Sequence, residues 1–474
     1  MFFGREQELE QLDNFFKRAT AGLAVCSGRR RIGKSTLIEH AAKGYPFYEF
    51  YGLSPREGIT NQNQLDHFSR TLSKHFSIPL LQFTDWQEAL DMLATLTKKG
   101  QYVLFLDEIS WMGGKDKDFP GKLKGVWDTQ LKKNPELKLI LCGSVSSWIQ
   151  ENILQSKGFV GRVSLRINLE ELPLCQANRF WGNTPYISLY EKCKILCVTG
   201  GVPRYLEEIN PSLDAEKNIK QLAFTSGGLL VDEFDKIFSD LFGKQAADYQ
   251  SIVRTVVHQP HSAEEIAQLL NIQLSGNLSH KLMVLKECGF LERDYVWQAK
   301  KRLEKLSKYR LRDNYLRFYL KYIEPKKELI EKKLYNEVDI ENLPDWPSIM
   351  GLQFENLVLN NLRQVVKILE ISPESLLSAS PYFQNATKTN PGCQVDLLIQ
   401  TKYTSYLCEA KCCKTIGTEI ISEIIQKVER LKIPKTLSLR PVLIYQGELS
   451  KQLIKENFFS KFIAFEDFLE ARPS

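Results

Sequence analysis

A glycine-rich loop between an apolar strand and a helix constrains this chain more than any other feature. Residues Gly28–Ser35 match the pattern G-x-x-x-x-G-K-[ST] at every fixed position. The apolar segment Leu23–Ser27 precedes the loop, and the helical pattern Lys34–Ala42 follows it. Glycines let backbone N–H groups surround phosphate groups, and the helix N-terminus adds partial positive charge. The pattern predicts a nucleoside triphosphate site formed by Gly28, Arg29, Arg30, Arg31, Ile32, Gly33, Lys34, Ser35 and Thr36.

A second apolar strand ends in two carboxylates. Tyr102–Leu106 runs into Asp107 and Glu108, and buried carboxylates at the carboxyl end of a strand need a partner. We expect Asp107 to serve the outer shell of Mg²⁺ and Glu108 to polarise the attacking water. Lys34 should reach the β- and γ-phosphates of ATP, and Ser35 should bind the Mg²⁺ ion. The alternative is a strand followed by a solvated acidic turn.

Two further residues are candidates for sensing or stabilising the γ-phosphate. The strand Leu137–Cys142 runs into Gly143 and Ser144, so Ser144 would lie beside the γ-phosphate if this strand neighbours the Asp107 strand. Arg162 either adds positive charge to the transition state or is a surface arginine at a strand start. An Arg162 that acts on a neighbouring copy implies an oligomer, whereas one that acts within its own chain needs only a monomer.

The order of patterns along the chain predicts an α/β protein with several domains. The first part alternates strands and helices, which is typical of a parallel sheet, and a helical region follows. At 474 residues the chain is too long for one core. We predict a nucleotide-binding core at 1–175, a helical lid at 176–235, a winged-helix-like domain at 236–325, a linker at 326–347 and an α/β domain at 348–474.

Composition places the chain among ordinary water-soluble proteins. The net charge of +6 is too small to argue for nucleic acid by itself. No run of eighteen apolar residues predicts a membrane span, and the N-terminus lacks the apolar region of a signal peptide. The 10 cysteines form no C-x-x-C pair. Buried reduced thiols are therefore expected, which indicates the cytoplasm.

The middle of the chain predicts three short helices followed by a β-hairpin. This order resembles a winged helix-turn-helix, with Ser262 and Ser275 as helix N-caps. One interpretation is DNA contact by residues of the third helix and the hairpin, namely His280, Lys281, Lys286, Lys300, Lys301 and Arg302. The other is a packing or lid module, which we favour because Glu287, Glu292 and Asp294 dilute the positive charge.

A predicted hairpin near the C-terminus brings acidic residues together. The hairpin consists of Gln394–Gln400 and Ser405–Lys411, joined by a loop of four residues. If Gln400 pairs with Ser405, Asp396 lies directly opposite Glu409. The Lys411 side chain projects from the same face of the hairpin as both carboxylates, because successive side chains of a strand alternate between the two faces. Facing carboxylates repel, so we expect Mg²⁺ or Mn²⁺ between them. Lys411 would then orient water and stabilise charge on a phosphate.

A helical glutamate completes this second constellation. Glu355 lies on an apolar stripe of the predicted helix Gly351–Val366, where a carboxylate is unexpected unless it joins a polar site. Glu355, Asp396, Glu409 and Lys411 together resemble the pattern of PD-(D/E)xK nucleases. The alternative is a solvated hairpin whose charged side chains lie on the surface.

Several segments resemble known ATPases. Phe3–Glu6, the loop Gly28–Ser35 and the Asp107–Glu108 strand end resemble the AAA-related ATPases of the STAND group. Leu141–Ser144 and Gly200–Leu206, with Gly161 and Arg162, resemble the archaeal-type ATPase family of prokaryotes over nearly the whole chain. This resemblance implies a C-terminal domain related to restriction-type nucleases. It also implies that Arg204 contacts the nucleotide from the helical lid.

Two functional hypotheses follow. In the first, the chain hydrolyses ATP and couples its nucleotide state to a nuclease-like domain that processes DNA. In the second, it is a STAND-like ATP-dependent switch whose C-terminal domain binds DNA or a protein partner without cleavage. Both hypotheses use the same ATP site, and they differ in the chemistry of the C-terminal domain.

Overall fold

Two units make up the chain in the computed structural model. The first comprises Met1–Glu171, Lys236–Ala247 and Glu287–Gly289, and the second comprises Leu172–Asp235, Asp248–Lys286 and Phe290–Ser474. The structure describes residues 2–56, 58–144, 147–154, 156–182, 186–298, 301–384, 386, 391–431 and 437–470. The bounds of the five predicted segments remain predictions.

The first unit is an α/β fold around a five-stranded parallel sheet with strand order β2-β3-β4-β1-β5. Its strands are β1 (Gly22–Gly28), β2 (Phe47–Tyr51), β3 (Tyr102–Asp107), β4 (Leu137–Ser144) and β5 (Val163–Leu169). Its helices are α1 (Glu6–Phe16), α2 (Lys34–Ala41), α3 (Asn61–Phe76), α4 (Trp86–Leu96), α5 (Ile109–Gly113), α6 (Phe119–Thr129) and α7 (Ser147–Ile149). The predicted parallel sheet is confirmed.

Apolar side chains cover both faces of this sheet, as parallel strands require. One core contains Leu104 and Leu139 together with Trp86 of α4. The other contains Phe105 and Ile140 together with apolar residues of α1 and α2. Because β1 and β4 are buried at every position, their carboxyl ends are fixed at one edge of the sheet. This edge carries the loop after β1 and, at the end of β3, the carboxylates of Asp107 and Glu108.

The middle of the chain is mainly helical. Its helices are α8 (Leu174–Ala177), α9 (Leu189–Thr199), α10 (Pro203–Leu206), α11 (Ala215–Ala223), α12 (Glu233–Phe242), α13 (Ala246–Thr255), α14 (Ala263–Leu269) and α15 (Gly276–Glu287). An antiparallel hairpin follows, formed by β6 (Leu291–Gln298) and β7 (Lys301–Leu311). Ser262 accepts from the Glu265 amide as the α14 N-cap, and Ser275 accepts from the Leu278 amide at the start of α15. The three helices and the hairpin have the expected order, and the winged-helix identity remains a prediction.

The C-terminal part contains a mixed five-stranded sheet with strand order β12-β11-β10-β9-β8. Helices α16 (Asn314–Phe318), α17 (Lys327–Glu331), α18 (Trp346–Asn360) and α19 (Leu362–Ile368) lead to β8 (Leu376–Gln384), β9 (Cys393–Thr401) and β10 (Thr404–Ile416). The chain continues through α20 (Glu419–Arg430), β11 (Ser438–Leu449), α21 (Lys451–Lys455), β12 (Lys461–Ala464) and α22 (Phe465–Leu469). The pairs β8–β9 and β9–β10 are antiparallel, whereas β10–β11 and β11–β12 are parallel.

The predicted hairpin register is confirmed, but the turn is tighter than predicted. Gln400 pairs with Ser405, and the ladder continues to Leu397 opposite Cys408, one position before Asp396 and Glu409. Both strands extend into the predicted loop because the Thr401 hydroxyl accepts from the Thr404 amide at 3.0 Å and donates to its carbonyl at 2.9 Å. Strands β8 and β12 at the sheet edges were not predicted.

Candidate nucleotide site and a second acidic site

The loop after β1 has a backbone that requires glycine at its first position. Gly28 has a φ of 153°, and a Cβ there would lie 2.5 Å from both the Leu169 carbonyl oxygen and the Ile32 Cδ1 atom. Arg31 and Gly33 follow with φ values of 73° and 81°. These left-handed residues turn the chain back on itself before α2 begins at Lys34. The loop therefore ends at a helix N-terminus, the arrangement that binds phosphate.

Lys34 lies inside this loop. Its side chain is buried, and its ammonium donates to the Arg29 carbonyl at 3.0 Å. That hydrogen bond curls the side chain back over the loop, in the space where phosphate oxygens bind in sites of this kind. The geometry agrees with the predicted phosphate-binding role of Lys34.

The loop and the Asp107 strand end meet through Ser35. The Ser35 hydroxyl donates to Asp107 Oδ2 at 2.6 Å, and Asp107 Oδ1 accepts from the Glu108 amide at 2.9 Å. A hydroxyl beside a carboxylate is the oxygen pair that holds Mg²⁺ next to a nucleotide in phosphate-loop enzymes. The residues present therefore fit a magnesium ion.

Glu108 is half-buried, and its backbone is strained. Its φ is 46°, which is unusual for a residue with a side chain and is typical of functional sites. Burial raises the pKa of the Glu108 carboxyl; the charge of Lys34 opposes this shift, and Asp107 adds to it. The Ser144 amide donates weakly to Glu108 Oε2 at 3.5 Å. Strand β4 pairs with β3, so Ser144 at the end of β4 lies beside Glu108. The predicted sensor role of Ser144 required that these two strands be neighbours, and they are.

Arg162, predicted to add positive charge to the transition state, and Arg204, predicted to contact the nucleotide, both have carboxylate partners. Arg162 donates to Asp128 through Nε at 2.8 Å and through a terminal nitrogen at 2.8 Å, which lowers the pKa of Asp128 to about 2. Arg204 lies 3.4 Å from Glu207 and 2.6 Å from Glu208. The Arg162–Asp128 pair favours the surface interpretation of Arg162. The nucleotide roles of both arginines remain predictions.

Sequence reasoning missed the residue that braces the loop. The guanidinium of Arg5 is buried and donates to the Ile32 carbonyl at 3.2 Å and to the Glu170 carbonyl at 2.7 Å. It thereby ties the phosphate loop to the end of β5. Arg29 of the loop pairs with Glu171 at 2.9 Å in the same region. The segment Phe3–Glu6, which contains Arg5, was the available signal.

The C-terminal hairpin brings its two predicted carboxylates together. Asp396 Oδ2 accepts from the Ala410 amide at 2.9 Å, which places this carboxyl beside the backbone that carries Glu409. Burial, followed by the charge of Glu409, raises the pKa of Asp396 to about 7. The direction of this shift agrees with the repulsion expected from the register. Such a pair favours a neighbouring cation.

Two lysines neutralise Glu409, and the sequence indicated only one of them. Lys427 of α20 donates to Glu409 Oε2 at 2.5 Å. Lys411 lies 3.4 Å from Glu409 Oε1 and donates to Glu423 at 2.9 Å. Lys427 follows the buried Ile420 and Ile424 at helical spacing, so it lies on the inward face of α20. This periodicity was the signal that could have identified it.

Glu355 of α18 joins the same region. Its pKa is raised well above the ordinary range by burial, and the charges of Asp396 and Glu409 add to the shift. The described residues contain no group of three histidine, cysteine or acidic side chains that could hold a metal ion. A cation here would be held by Asp396 and Glu409 with water and substrate oxygens, which is how Mg²⁺ is commonly bound. In that limited sense the residues fit.

Two of the lysines predicted to contact DNA form ion pairs within the protein. Lys281 donates to Asp248 at 2.6 Å, and Lys286 lies 3.2 Å from Glu292. Lys300 lies outside the described residues. The β6 strand packs against the C-terminal sheet, since the Ser380 hydroxyl donates to the Tyr295 carbonyl at 3.0 Å. These contacts agree with the packing-module interpretation and do not test DNA binding.

A family comparison covers the region that holds the nucleotide site. Residues 2–209 match the model of a family described as an ATPase domain predominantly from Archaea. The N-terminal part matches an ATPase domain. The matched ATPase region includes the phosphate loop, Asp107, Glu108 and Arg204. The resemblance predicted from the phosphate loop and from Gly200–Leu206 is confirmed at this level, while the nuclease-like C-terminal domain remains a prediction.

The similarity to other proteins extends beyond residues 2–209. The uncharacterized protein MJECL04 of Methanocaldococcus jannaschii is 27% identical over 379 residues, which cover 78% of this chain and 79% of that protein. The Walker-type ATPase PABY2304 of Pyrococcus abyssi has a TM-score of 0.46 at 16% identity, over 67% of this chain and 96% of its own. The ORC2 protein of Aeropyrum pernix has a TM-score of 0.41 at 14% identity, over 70% and 94%.

No helix in the described part of the chain combines the length and apolar composition needed to cross a bilayer. The 10 cysteines all lie among the described residues, and none of them forms a disulfide bond.

Proposed function

We propose that this chain binds and hydrolyses ATP with Mg²⁺ at Lys34, Ser35, Asp107 and Glu108. The observation that carries the proposal is the 2.6 Å hydrogen bond between Ser35 and Asp107 at the mouth of the glycine loop. It joins the two elements that phosphate-loop enzymes use for the nucleotide and the metal. The family match of residues 2–209 supports the same activity.

Each residue has a distinct task in this proposal. Lys34 and the backbone N–H groups of the loop hold the β- and γ-phosphates, and Ser35 and Asp107 hold Mg²⁺, which neutralises phosphate charge when bound. Glu108 orients the attacking water and accepts its proton, for which it must be ionised. Ser144, next to Glu108, contacts the γ-phosphate. Arg5 keeps the loop in shape through the Ile32 carbonyl.

Replacing Lys34 tests this activity. We expect Lys34→Ala to lower the rate of ATP hydrolysis by about 100- to 1,000-fold, the usual effect of removing one such charge-stabilising group. Lys74 is exposed on α3, so Lys74→Ala serves as a matched control and should stay within about twofold of wild type. Equal hydrolysis by wild type and Lys34→Ala would refute the proposal.

A second proposed activity concerns the C-terminal site. We propose that Asp396 and Glu409 hold Mg²⁺ or Mn²⁺ and that the chain hydrolyses phosphodiester bonds of DNA there, coupled to the nucleotide state of the ATPase domain. The observation in favour is the convergence of Asp396, Glu409 and Glu355 beside two lysines. The cation would activate water, and Lys411 and Lys427 would stabilise charge on the phosphate.

Plasmid cleavage distinguishes this activity from binding without cleavage. Supercoiled plasmid is incubated with the full chain and Mn²⁺, with and without ATP, and compared with Asp396→Asn. Nicking by wild type alone supports the nuclease, and ATP dependence supports coupling. If both proteins leave the plasmid intact, the chain is instead an ATP-dependent switch, in the cytoplasm, that binds DNA or a protein partner. The oligomeric state depends on Arg162: an Arg162 that acts on a neighbouring copy requires an oligomer, whereas one that acts within its own chain needs only a monomer.

A further inference from the structure

The phosphate loop carries three consecutive arginines, and the second of them contacts a carboxylate of α12. Arg30 forms an ion pair with Asp240, and both residues belong to the first unit. Their side chains are 29% and 25% exposed, so water reaches both charged groups. Arg29, by contrast, is buried and pairs with Glu171. A partly exposed ion pair such as Arg30–Asp240 is weak enough to be exchanged for a stronger one.

The charge of Arg30 acts on the residue proposed to orient the attacking water. Burial raises the pKa of the Glu108 carboxyl, and the charge of Lys34 and, to a smaller extent, that of Arg30 oppose this shift. Such an effect requires a short separation, because Coulomb interactions between partly exposed groups weaken quickly with distance. In the proposed reaction the γ-phosphate lies between Lys34 and Glu108. The Arg30 guanidinium is therefore close to the place of this phosphate.

The arginine predicted from the sequence to stabilise the transition state is held more firmly than Arg30. Arg162 donates through Nε to both oxygens of Asp128, at 2.8 and 3.0 Å. Its Nη2 atom also donates to Asp128 Oδ2 at 2.8 Å. Bidentate pairs of this kind are stronger than single contacts, so Arg162 is poorly suited to move to a phosphate. Positive charge for the γ-phosphate is supplied more readily from the loop itself.

From these contacts we infer that Arg30 leaves Asp240 when ATP binds and donates to the γ-phosphate, where it stabilises the charge that develops during hydrolysis. The inference rests on the proposed ATPase function, for which it names a further catalytic residue. In the exchange one oxyanion replaces another, and phosphate presents the guanidinium with the same paired oxygens as a carboxylate. The Asp240 carboxylate then returns to water, which already reaches it.

The same exchange makes the loop respond differently to ATP and to ADP. ATP brings the γ-phosphate that competes with Asp240 for Arg30, whereas ADP lacks this phosphate and leaves the ion pair in place. The pair therefore opposes ATP binding slightly and has little effect on ADP binding. After hydrolysis and release of phosphate, Asp240 recovers Arg30, so the ion pair is a property of the states of the site that lack a γ-phosphate.

Nucleotide binding tests the inference with a readout other than hydrolysis. Isothermal titration calorimetry with Mg²⁺ compares ADP with ADPNP, an ATP analogue that is not hydrolysed. Arg30→Ala should weaken ADPNP binding by about 10-fold, the loss of one charged hydrogen bond, and ADP binding by less than about threefold. Its kcat for ATP should fall by about 100-fold or more. Arg30→Lys should lie between wild type and Arg30→Ala in both measurements, and Arg70→Ala, at an exposed position of α3, should match wild type.

Replacing Asp240 tests the exchange itself. Asp240→Asn should tighten ADPNP binding by about two- to fivefold, the value of a partly exposed ion pair, and leave ADP binding unchanged. Asp235→Asn makes the same change on the same helix but removes a partner of Lys327, so it is the matched control and should bind both nucleotides like wild type.

Combining Asp240→Asn with Arg30→Ala separates exchange from simple repulsion between Asp240 and phosphate. Without Arg30, Asp240→Asn should no longer tighten ADPNP binding, and tightening that persists overturns the inference. Equal losses of ADPNP and ADP affinity in folded Arg30→Ala and Arg30→Lys proteins, or an unchanged kcat, overturn it as well. If the Arg30 variants change ADPNP binding as expected but wild type does not hydrolyse ATP, only the proposed ATPase function is refuted.

Discussion

The Ser35 hydroxyl donates a 2.6 Å hydrogen bond to the Asp107 carboxylate across the gap between two strand ends. These residues lie on elements that are separated in the sheet by β4. The bond exists because parallel strands bring their carboxyl ends to one edge, where a loop and a carboxylate from distant parts of the chain can meet. This meeting point is the basis for the proposed ATPase activity and for the predictions about it.

The pH dependence of ATP hydrolysis should report Glu108. Burial raises its pKa above the ordinary value of 4.5. The base must be ionised to accept a proton, so kcat should fall as pH is lowered, with a midpoint above pH 4.5. Steady-state rates between pH 4.5 and 8 measure this limb, with circular dichroism confirming that the protein stays folded. A flat profile over the whole range would exclude Glu108 as the base.

Removing Arg5 should loosen the phosphate loop. Arg5→Ala leaves the carbonyls of Ile32 and Glu170 without this donor, and we expect a loss of about 1–3 kcal/mol in the free energy of unfolding. The KM for ATP should rise more than kcat falls, because the loop positions phosphate. Chemical denaturation and ATPase kinetics measure both effects. Arg18→Ala, which removes an exposed donor to the Ser164 carbonyl, is the control. Equal effects of the two substitutions would contradict the bracing role.

The nucleotide site could be predicted well from the sequence because its signals are local. The loop pattern, the apolar strands and the carboxylates after β3 lie within short segments, and β5 has the predicted bounds of Val163–Leu169. Arg5 could not be identified in the same way, because its partners Ile32 and Glu170 are distant in sequence and are backbone carbonyls. The Arg162–Asp128 pair could not be predicted either. It depends on how α6, which carries Asp128, packs beside Arg162 at the start of β5.

Lys427 should contribute more than Lys411 to the free energy of unfolding. Lys427 lies 2.5 Å from the buried Glu409, whereas Lys411 is shared between Glu409 and Glu423. We expect Lys427→Met to lower the free energy of unfolding by about 1.5–3 kcal/mol and Lys411→Met by less than about 1 kcal/mol. Chemical denaturation measures both.

A double substitution separates charge from packing at this pair. Combining Lys427→Met with Glu409→Gln should recover much of the lost stability, because no unpaired buried charge then remains. Lys427→Arg should retain the wild-type stability, because a positive charge still faces Glu409. A loss for Lys411→Met as large as that for Lys427→Met would contradict the assigned order.

The stability of the C-terminal site should depend on pH through Asp396. Its folded-state pKa is raised to about 7 from 3.8, so the folded protein holds this proton more tightly than the unfolded chain does. This contribution is fully present below pH 3.8 and is lost as pH rises to about 7. In EDTA, the Tm of wild type should therefore fall relative to Asp396→Asn between pH 4 and 7. Parallel Tm curves for the two proteins would contradict this.

The C-terminal site was predictable only in part. The hairpin register followed from counting residues, since side chains alternate and the turn fixes the pairing. The edge strands β8 and β12, and the approach of Arg317 to Glu355, depend on tertiary packing between distant segments. The sequence therefore identified Asp396, Glu409 and Glu355 but gave no sign of the Arg317 charge that acts on Glu355.

The proposed ATPase site is tested most directly by separating ATP binding from ATP hydrolysis at Glu108. Glu108→Gln keeps the shape of the side chain and removes the base, so ATP should bind within about threefold of wild type. Single-turnover hydrolysis should slow by at least about 100-fold, the lower end of the range for general-base catalysis. Hydrolysis by Glu108→Gln at the wild-type rate, with unchanged binding, would contradict the assignment of this site as the ATPase centre.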